Sequence, residues 1–92
     1  MQNTKSLDNI LTERGDRYGN FLGQAVLSQY LTGVMHNHDK WKDLRADQKE
    51  AIEMICHKLA RIVNGDPNYA DSWIDIAGYA TLISDRLERG MT

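Results

Sequence analysis

"DSWIDIAGYATLI", residues 71–83, is the segment of the chain that says most about how it folds. Eleven of its thirteen residues suit a buried helix, and the other two are Asp71 and Asp75. Between Trp73 and Ile83, a helix with this sequence is apolar on nearly every side except at Asp75. Because helices of that kind are usually buried, we expect this segment to lie inside a helical protein, with one carboxylate that needs a partner.

The rest of the chain shows helical periodicity and lacks the alternation that strands require. Apolar residues recur at helical spacing in four segments, at about residues 6–14, 20–36, 47–63 and 69–88. The clearest turn is "NGDPN", which contains the single proline, Pro67. We therefore predict one all-α domain over residues 1–92, a compact four-helix bundle with one short N-terminal helix and three longer helices.

Polar residues and glycines mark the expected helix ends. Ser6 is the expected N-cap of the first helix, and Gly15 is its expected C-terminal stop. Asp47 followed by Glu50 has the spacing of a capping box at the start of the third helix. Asn68 is the expected N-cap of the fourth helix.

Size and charge limit the functions that the chain can serve. The chain has 92 residues, a net charge of −2, 41% apolar residues and one cysteine, Cys56. The negative charge makes nucleic-acid binding unfavourable, since that function needs a basic face. No apolar run reaches the length of a membrane span, and the start lacks the apolar segment of a signal peptide. We expect a cytoplasmic protein without membrane contact, and its small core favours a homodimer.

Asp75 is the residue that most needs an explanation, because burying a carboxylate without a partner is costly. Three explanations are open: an ion pair with Arg61, Lys58 or Arg17, a metal or active-site role, and a solvent-facing position. Gly78 lies on the same stripe of the helix. Since glycine is unfavourable within a helix, Gly78 indicates a close approach by another helix or by a ligand.

Pairs of carboxylates occur on two helices that we expect to be neighbours. One stripe of the third helix carries Glu50, Glu53, His57 and Arg61. One stripe of the fourth carries Asp71 and Asp75. Four carboxylates that converge between helices need a hard cation, and Mg²⁺ prefers such oxygen ligands. Structural roles are open as well: Glu50 closes a capping box, Glu53 and His57 form a solvated pair, and Asp71 suits the helix dipole.

The segment "ERGDRYGNF", residues 13–21, joins the first two helices and concentrates four charges in five residues. A capped turn explains it structurally, with backbone or capping roles for Gly15, Asp16 and Gly19. In the alternative interpretation Arg14 or Arg17 binds an anion or pairs with Asp75, because the planar guanidinium suits both tasks.

Three blocks of the sequence together resemble a family of small phage and prophage proteins, a domain of unknown function. These blocks are "ERGDRYGNF", "QKEAIEMICHKLARI" (residues 48–62) and "GDPNYADSWIDIAGYA" (residues 65–80). The resemblance covers roughly residues 7–88. It implies a phage accessory protein that acts in the cytoplasm of a bacterial host, and it implies no activity.

A more distant resemblance is to the MazG-like all-α nucleoside triphosphate pyrophosphohydrolases. Those enzymes carry an E-x-x-E pair on one helix and an E-x-x-D pair on a later one, and the four carboxylates bind Mg²⁺ and substrate phosphates. Glu50 and Glu53 match the first pair by spacing. Asp71 and Asp75 depart from the second pair, with aspartate in place of glutamate and one extra residue between them. In that superfamily the site is often built across subunits.

Two functions are consistent with the sequence. The first is Mg²⁺-dependent hydrolysis of a nucleoside triphosphate, with catalytic carboxylates and phosphate-binding cations. In that hypothesis the catalytic residues are Glu50, Glu53 and Asp75, the metal ligands also include Asp71, and the phosphate-binding residues are Arg17, Lys58 and Arg61. The alternative is a non-enzymatic phage protein that binds and inhibits a host protein, for example a defence protein, and that uses Asp75 only in an ion pair.

Overall fold

The computed structural model describes residues 4–90, which form four α-helices joined by short connections. The helices are α1 (Thr4–Tyr18), α2 (Phe21–His36), α3 (Ala46–Asn64) and α4 (Ala70–Glu88), and a single 3₁₀ turn (Trp41–Asp43) precedes α3. No strand occurs among these residues. The predicted all-α bundle is confirmed. None of the described helices has both the length and the hydropathy that a membrane span requires.

Helix α3 is the centre of the bundle, with α2 and α4 packed against it and α1 lying across α2 and α3. Its buried apolar residues are Ala51, Cys56, Ala60 and Ile62. Three of these four side chains are small, so the neighbouring helices approach α3 closely but bury little apolar volume. Burial raises the pKa of the Cys56 thiol above its ordinary value, and the charge of Glu53 adds to the effect. Cys56 is therefore an unreactive core residue.

An amide clamp at the end of α3 holds the junction between α1 and α2. The Asn64 side-chain nitrogen donates to the Tyr18 carbonyl oxygen at 2.7 Å and to the Asn20 carbonyl oxygen at 2.9 Å. Gly19 lies between them with φ +78°, and a Cβ there would collide with the Asn64 carbonyl oxygen. Because Gly19 supplies the left-handed residue that ends the helix, α1 runs past Gly15 to Tyr18, and the expected stop at Gly15 is wrong.

The other helix ends also use different residues from those expected. Helix α1 begins at Thr4, so Ser6 lies within it. Asn20, rather than Asp16, caps α2 by accepting the Gly23 N–H at 2.7 Å. Gln48, rather than Glu50, closes the box at the start of α3 by accepting the Arg45 N–H at 3.0 Å. Tyr69 precedes α4 without a side-chain capping bond, since Asn68 is held in the preceding turn by the Asp66 carboxylate.

Helix α4 is not buried, contrary to the expectation from its apolar sequence. Trp73, Ile74 and Leu82 are each more than half exposed, and Ser72 is the one buried residue among those of α4. The physical reason is that α4 packs mainly on α3, so one side of an apolar helix is covered and the other sides are largely open to solvent. A Cβ at Gly78 would have no atom within 4 Å, so no other helix among the described residues approaches closely there, and the expected ligand contact stays a prediction.

The two glycines Gly19 and Gly78 make a matched test of this architecture. Gly19→Ala should destabilise the fold by more than the ~1–2 kcal/mol of the left-handed backbone alone, because the new methyl group also meets Asn64. Gly78→Ala should stabilise the fold by about 0.5–1 kcal/mol, since it adds helix propensity in open space. Urea unfolding monitored by circular dichroism measures both changes. Equal stability of the two variants would contradict the clamp.

Candidate functional site

Asp75 lies next to Lys58 of α3. The Lys58 ammonium nitrogen is 3.1 Å from an Asp75 carboxylate oxygen. Lys58 is only 8% exposed, whereas the Asp75 side chain is 47% exposed. The buried partner is therefore the lysine, and the carboxylate covers it from the solvent side. A buried ammonium without a counterion is costly, which explains why this apolar helix carries an acid at position 75.

The two arginines considered as partners of Asp75 have other contacts. Arg17 forms an ion pair with Asp66 at 3.5 Å and lies 4.3 Å from the centroid of the Tyr69 ring. Arg61 lies 4.3 Å from the centroid of the Tyr18 ring. Both contacts belong to the α1 side of the molecule, so of the three cations proposed from the sequence Lys58 alone pairs with Asp75.

The other three predicted site carboxylates point to different places. Glu53 contacts His36 of α2, with 2.7 Å between Oε2 and the ring nitrogen Nε2. Asp71 accepts a hydrogen bond from the Tyr69 hydroxyl at 2.8 Å. Glu50 is exposed and lines a shallow surface hollow beside Tyr79. Because each carboxylate has a separate environment, the structure does not bring the four together within one chain.

Helix geometry explains why they stay apart. Helices α3 and α4 run antiparallel, so that Lys58 lies beside Asp75 while Asp47 lies beside Arg86 at 2.8 Å. Glu50 precedes Lys58 by eight residues, which corresponds to about 12 Å along the helix axis. Over the described residues, no three histidine, cysteine, aspartate or glutamate side chains are grouped to hold a metal ion. The expected four-carboxylate Mg²⁺ site therefore does not fit a single chain.

A second cluster of ionisable residues lines a cleft between α1, α2 and α3. The cleft has a volume of about 450 Å³ and is walled by Arg14, Tyr18, His57 and Arg61, together with the apolar side chains of Leu11 and Phe21. The Arg14 guanidinium lies 5.4 Å and that of Arg61 4.3 Å from the centroid of the Tyr18 ring. We call this cluster the arginine cleft. It combines cations with an aromatic wall.

His57 enters this cleft as a neutral imidazole. Burial lowers its pKa below the ordinary value of 6.5, and the charges of Arg61 and Lys58 lower it further. Its Nε2 atom is 3.0 Å from the side-chain nitrogen of the buried Gln24. The Gln24 side-chain amide therefore holds the imidazole in place at the back of the cleft.

Two of the residues that line the arginine cleft were predicted from the sequence, but their proximity in the structure was not. Sequence reasoning assigned Arg14 to possible anion binding and Arg61 to phosphate binding. It did not link Tyr18 or Gln24 to either residue. The four-residue spacing of His57 and Arg61 places both on one face of α3, and this was the available signal. What the sequence does not show is that the Asn64 clamp folds the end of α1 onto that face.

A family match spans residues 4–87, from the first turn of α1 to the last turn of α4. The chain belongs to the family described as "Domain of unknown function (DUF6378)". This agrees with the resemblance to a domain of unknown function, and it assigns no activity. No curated protein and no solved structure matches the chain.

The ion pair between Lys58 and Asp75 should make an asymmetric contribution to stability. Asp75→Asn leaves a buried ammonium without its counterion and should cost about 1–3 kcal/mol, whereas Lys58→Met removes the buried charge and should cost less. The control is Asp85→Asn, which breaks the exposed pair of Asp85 with Arg89 and should change stability by less than about 0.5 kcal/mol. Chemical denaturation measures all three variants. An Asp75→Asn loss no larger than that of Asp85→Asn would show that the buried lysine does not need its partner.

Proposed function

We propose that the chain is a helical interaction protein that works as a homodimer, joined through an exposed apolar stripe on α2. The observation that supports this is the orientation of α2, which buries Gln24 and Ser28 against the bundle. On its outer side Leu22, Val26, Tyr30 and Val34 are 71%, 61%, 69% and 51% exposed. We call these four residues the α2 stripe. A surface helix of a monomer has the opposite arrangement.

The α2 stripe is continuous and carries no charge. Its four members follow one another at intervals of four residues, so they lie along one face of the helix. Residues 18–38 contain no aspartate, glutamate, lysine or arginine. An apolar stripe of this length in contact with water is unfavourable, and contiguous exposed apolar surface marks association sites.

The surface area of the chain matches what a dimer would bury. The accessible surface is 6577 Å², whereas a compact monomer of 10.5 kDa exposes about 5,400 Å². The radius of gyration is 16.0 Å, compared with about 12 Å for a compact domain of this length. The excess of about 1,200 Å² is larger than the ~800 Å² that each partner contributes to a standard interface.

A second copy of the chain is the occupant that the chemistry of the stripe favours. A two-fold dimer places the same patch of each protomer against itself, so any charge near the axis would meet its own copy. The absence of charged residues from positions 18–38 removes that repulsion. The resemblance to small phage proteins implies that such a dimer acts in a bacterial cytoplasm. There the exposed charged loop at Asp39, Lys40, Lys42 and Asp43 would contact a host protein.

Substitution of the α2 stripe tests the homodimer. Val26→Glu and Tyr30→Glu place like charges on both sides of the interface and should convert a dimer of about twice 10.5 kDa into monomers. Sedimentation equilibrium or light scattering coupled to gel filtration gives the mass, and circular dichroism gives the helix content. Leu82→Glu is the control, since Leu82 is equally exposed but lies on α4 and outside the α2 stripe. A monomeric wild type, or equal dissociation of all three variants, would overturn the proposal.

A Mg²⁺-dependent nucleoside triphosphate pyrophosphohydrolase is the second candidate function. One observation favours it: among the described residues Glu50 is an exposed carboxylate on α3 without an ion pair. Because the carboxylates of one chain lie too far apart, this candidate needs acidic residues from a second subunit, as the MazG-like resemblance implies. Asp75 would also have to exchange its contact with Lys58 for one with the ion.

Metal binding separates the two candidates. For the enzyme, calorimetry should show Mg²⁺ or Mn²⁺ binding with a dissociation constant below about 1 mM, and a nucleotide panel should show pyrophosphate release. Both signals should disappear in Glu50→Gln, which changes α3, and persist in Asp85→Asn, which changes an exposed acid on α4. If the wild-type protein is a dimer and binds neither ion, the pyrophosphohydrolase is excluded and the interaction function is the one that remains.

A further inference from the structure

The arginine cleft contains cationic groups that the rest of the fold does not neutralise. Neither Arg14 nor Arg61 has an ion pair among the described residues. None of the residues that line the cleft is acidic. In a chain of net charge −2, two uncompensated guanidinium groups on one cleft indicate a site for a negatively charged ligand.

Arg61 has an unsatisfied donor in addition to its uncompensated charge. Its Nε–H is covered by neighbouring atoms and has no acceptor among the described residues. Buried donors in proteins are almost always paired, so an unpaired one at a cleft needs a reason. The Arg61 guanidinium lies over the Tyr18 ring, 4.3 Å from the ring centroid, and this contact gives its Nε–H no acceptor. A ligand oxygen that enters the cleft as Arg61 adjusts would supply the missing acceptor.

We propose that the arginine cleft binds a small organic phosphate monoester. Two guanidinium groups match the two negative charges of a phosphate monoester better than the single charge of a carboxylate, and the arginine fork bonds phosphate oxygens in pairs. The volume of about 450 Å³ accommodates a small organic molecule. Leu11, Tyr18 and Phe21 provide an apolar and aromatic wall for its organic part.

The polar side chains at the back of the cleft complete the site. Burial lowers the pKa of His57, and its Nε2 is occupied by the Gln24 side-chain amide. Asn20 also lines the cleft, although its side-chain oxygen is committed to the Gly23 N–H. The two arginines therefore bind the phosphate group. The polar side chains at the back of the cleft, which already have hydrogen-bond partners, limit how far the ligand can enter. This site uses no residue of the α2 stripe, so it does not depend on the proposed dimer.

Binding of defined phosphates to the full chain tests the site. The probes are adenosine monophosphate, glycerol phosphate and inorganic phosphate, with adenosine and glycerol as the matched uncharged compounds, all at constant ionic strength. Calorimetry gives affinities, and ¹⁵N nuclear magnetic resonance follows the Arg61 Nε–H signal directly. We expect a phosphate monoester to bind, its uncharged counterpart not to bind, and the Arg61 Nε–H resonance to shift on saturation. Inorganic phosphate should bind at least tenfold more weakly than the better monoester.

Charge-matched variants decide whether the arginine cleft is the place where the phosphate monoester binds. Arg61→Gln and Arg14→Gln should each weaken binding of the monoester at least tenfold. Arg89→Gln removes the same charge from an exposed pair at the end of α4 and should leave binding unchanged. Arg14 is exposed, so its variant keeps the test valid even if Arg61→Gln unfolds. The proposal is overturned if Arg14→Gln binds like wild type, if Arg89→Gln loses as much affinity, or if inorganic phosphate binds as tightly as the monoesters.

Discussion

The side-chain amide of Asn64 is the contact on which the arrangement of the first three helices depends. By donating to the two carbonyl groups on either side of Gly19, those of Tyr18 and Asn20, it fixes both where α1 stops and the direction in which α2 leaves. The ring of Tyr18 is thereby held against α3, within reach of Arg61. The backbone N–H of Asp66 donates to the Arg17 carbonyl at 2.7 Å and reinforces the same junction. The arginine cleft is thus a consequence of how one helix ends.

The two flanks of α3 are held in different ways. On the α4 side, two charged contacts bridge the helices, one between Asp47 and Arg86 and one between Lys58 and Asp75. Arg45, with Arg86 beside it, holds the pKa of the Asp47 carboxyl well below its usual range, so that the first of these contacts persists in moderate acid. On the α2 side the contacts are a neutral Gln24–His57 bond and the exposed pair of His36 with Glu53. The charged contacts therefore fix the position of α4 along α3, whereas α2 keeps an apolar outer face.

Periodicity alone predicted the four helices and the bundle, because it depends on local spacing that the sequence displays directly. The helix ends were harder, since Gly15 and Gly19 are both reasonable stops and a contact with the distant Asn64 selects between them. Burial of α4 was predicted wrongly for a related reason. An apolar sequence shows that a surface avoids water, but it does not show whether the covering surface belongs to the same chain.

For the site residues, too, the sequence showed features that depend on local spacing but not contacts between residues far apart in the chain. Glu50 and Glu53 do share a helix, but a shared stripe does not specify which neighbour each side chain meets, and Glu53 turns to His36 of α2. The need of Asp75 for a partner was visible from its apolar neighbours. The choice of Lys58 over the two arginines was not, because it depends on the register between two antiparallel helices. The magnesium site remains a prediction that a second subunit would have to complete.

The position of Cys56 gives the molecule an internal reporter. It is the single cysteine of the chain, it lies in the core of the central helix at 3% exposure, and burial disfavours its thiolate. A thiol reagent in water can reach it only when α3 separates from a neighbouring helix. The rate at which the native protein is labelled therefore measures how often the bundle opens. Any ligand or second protomer that holds the helices together would register as slower labelling, without an added probe.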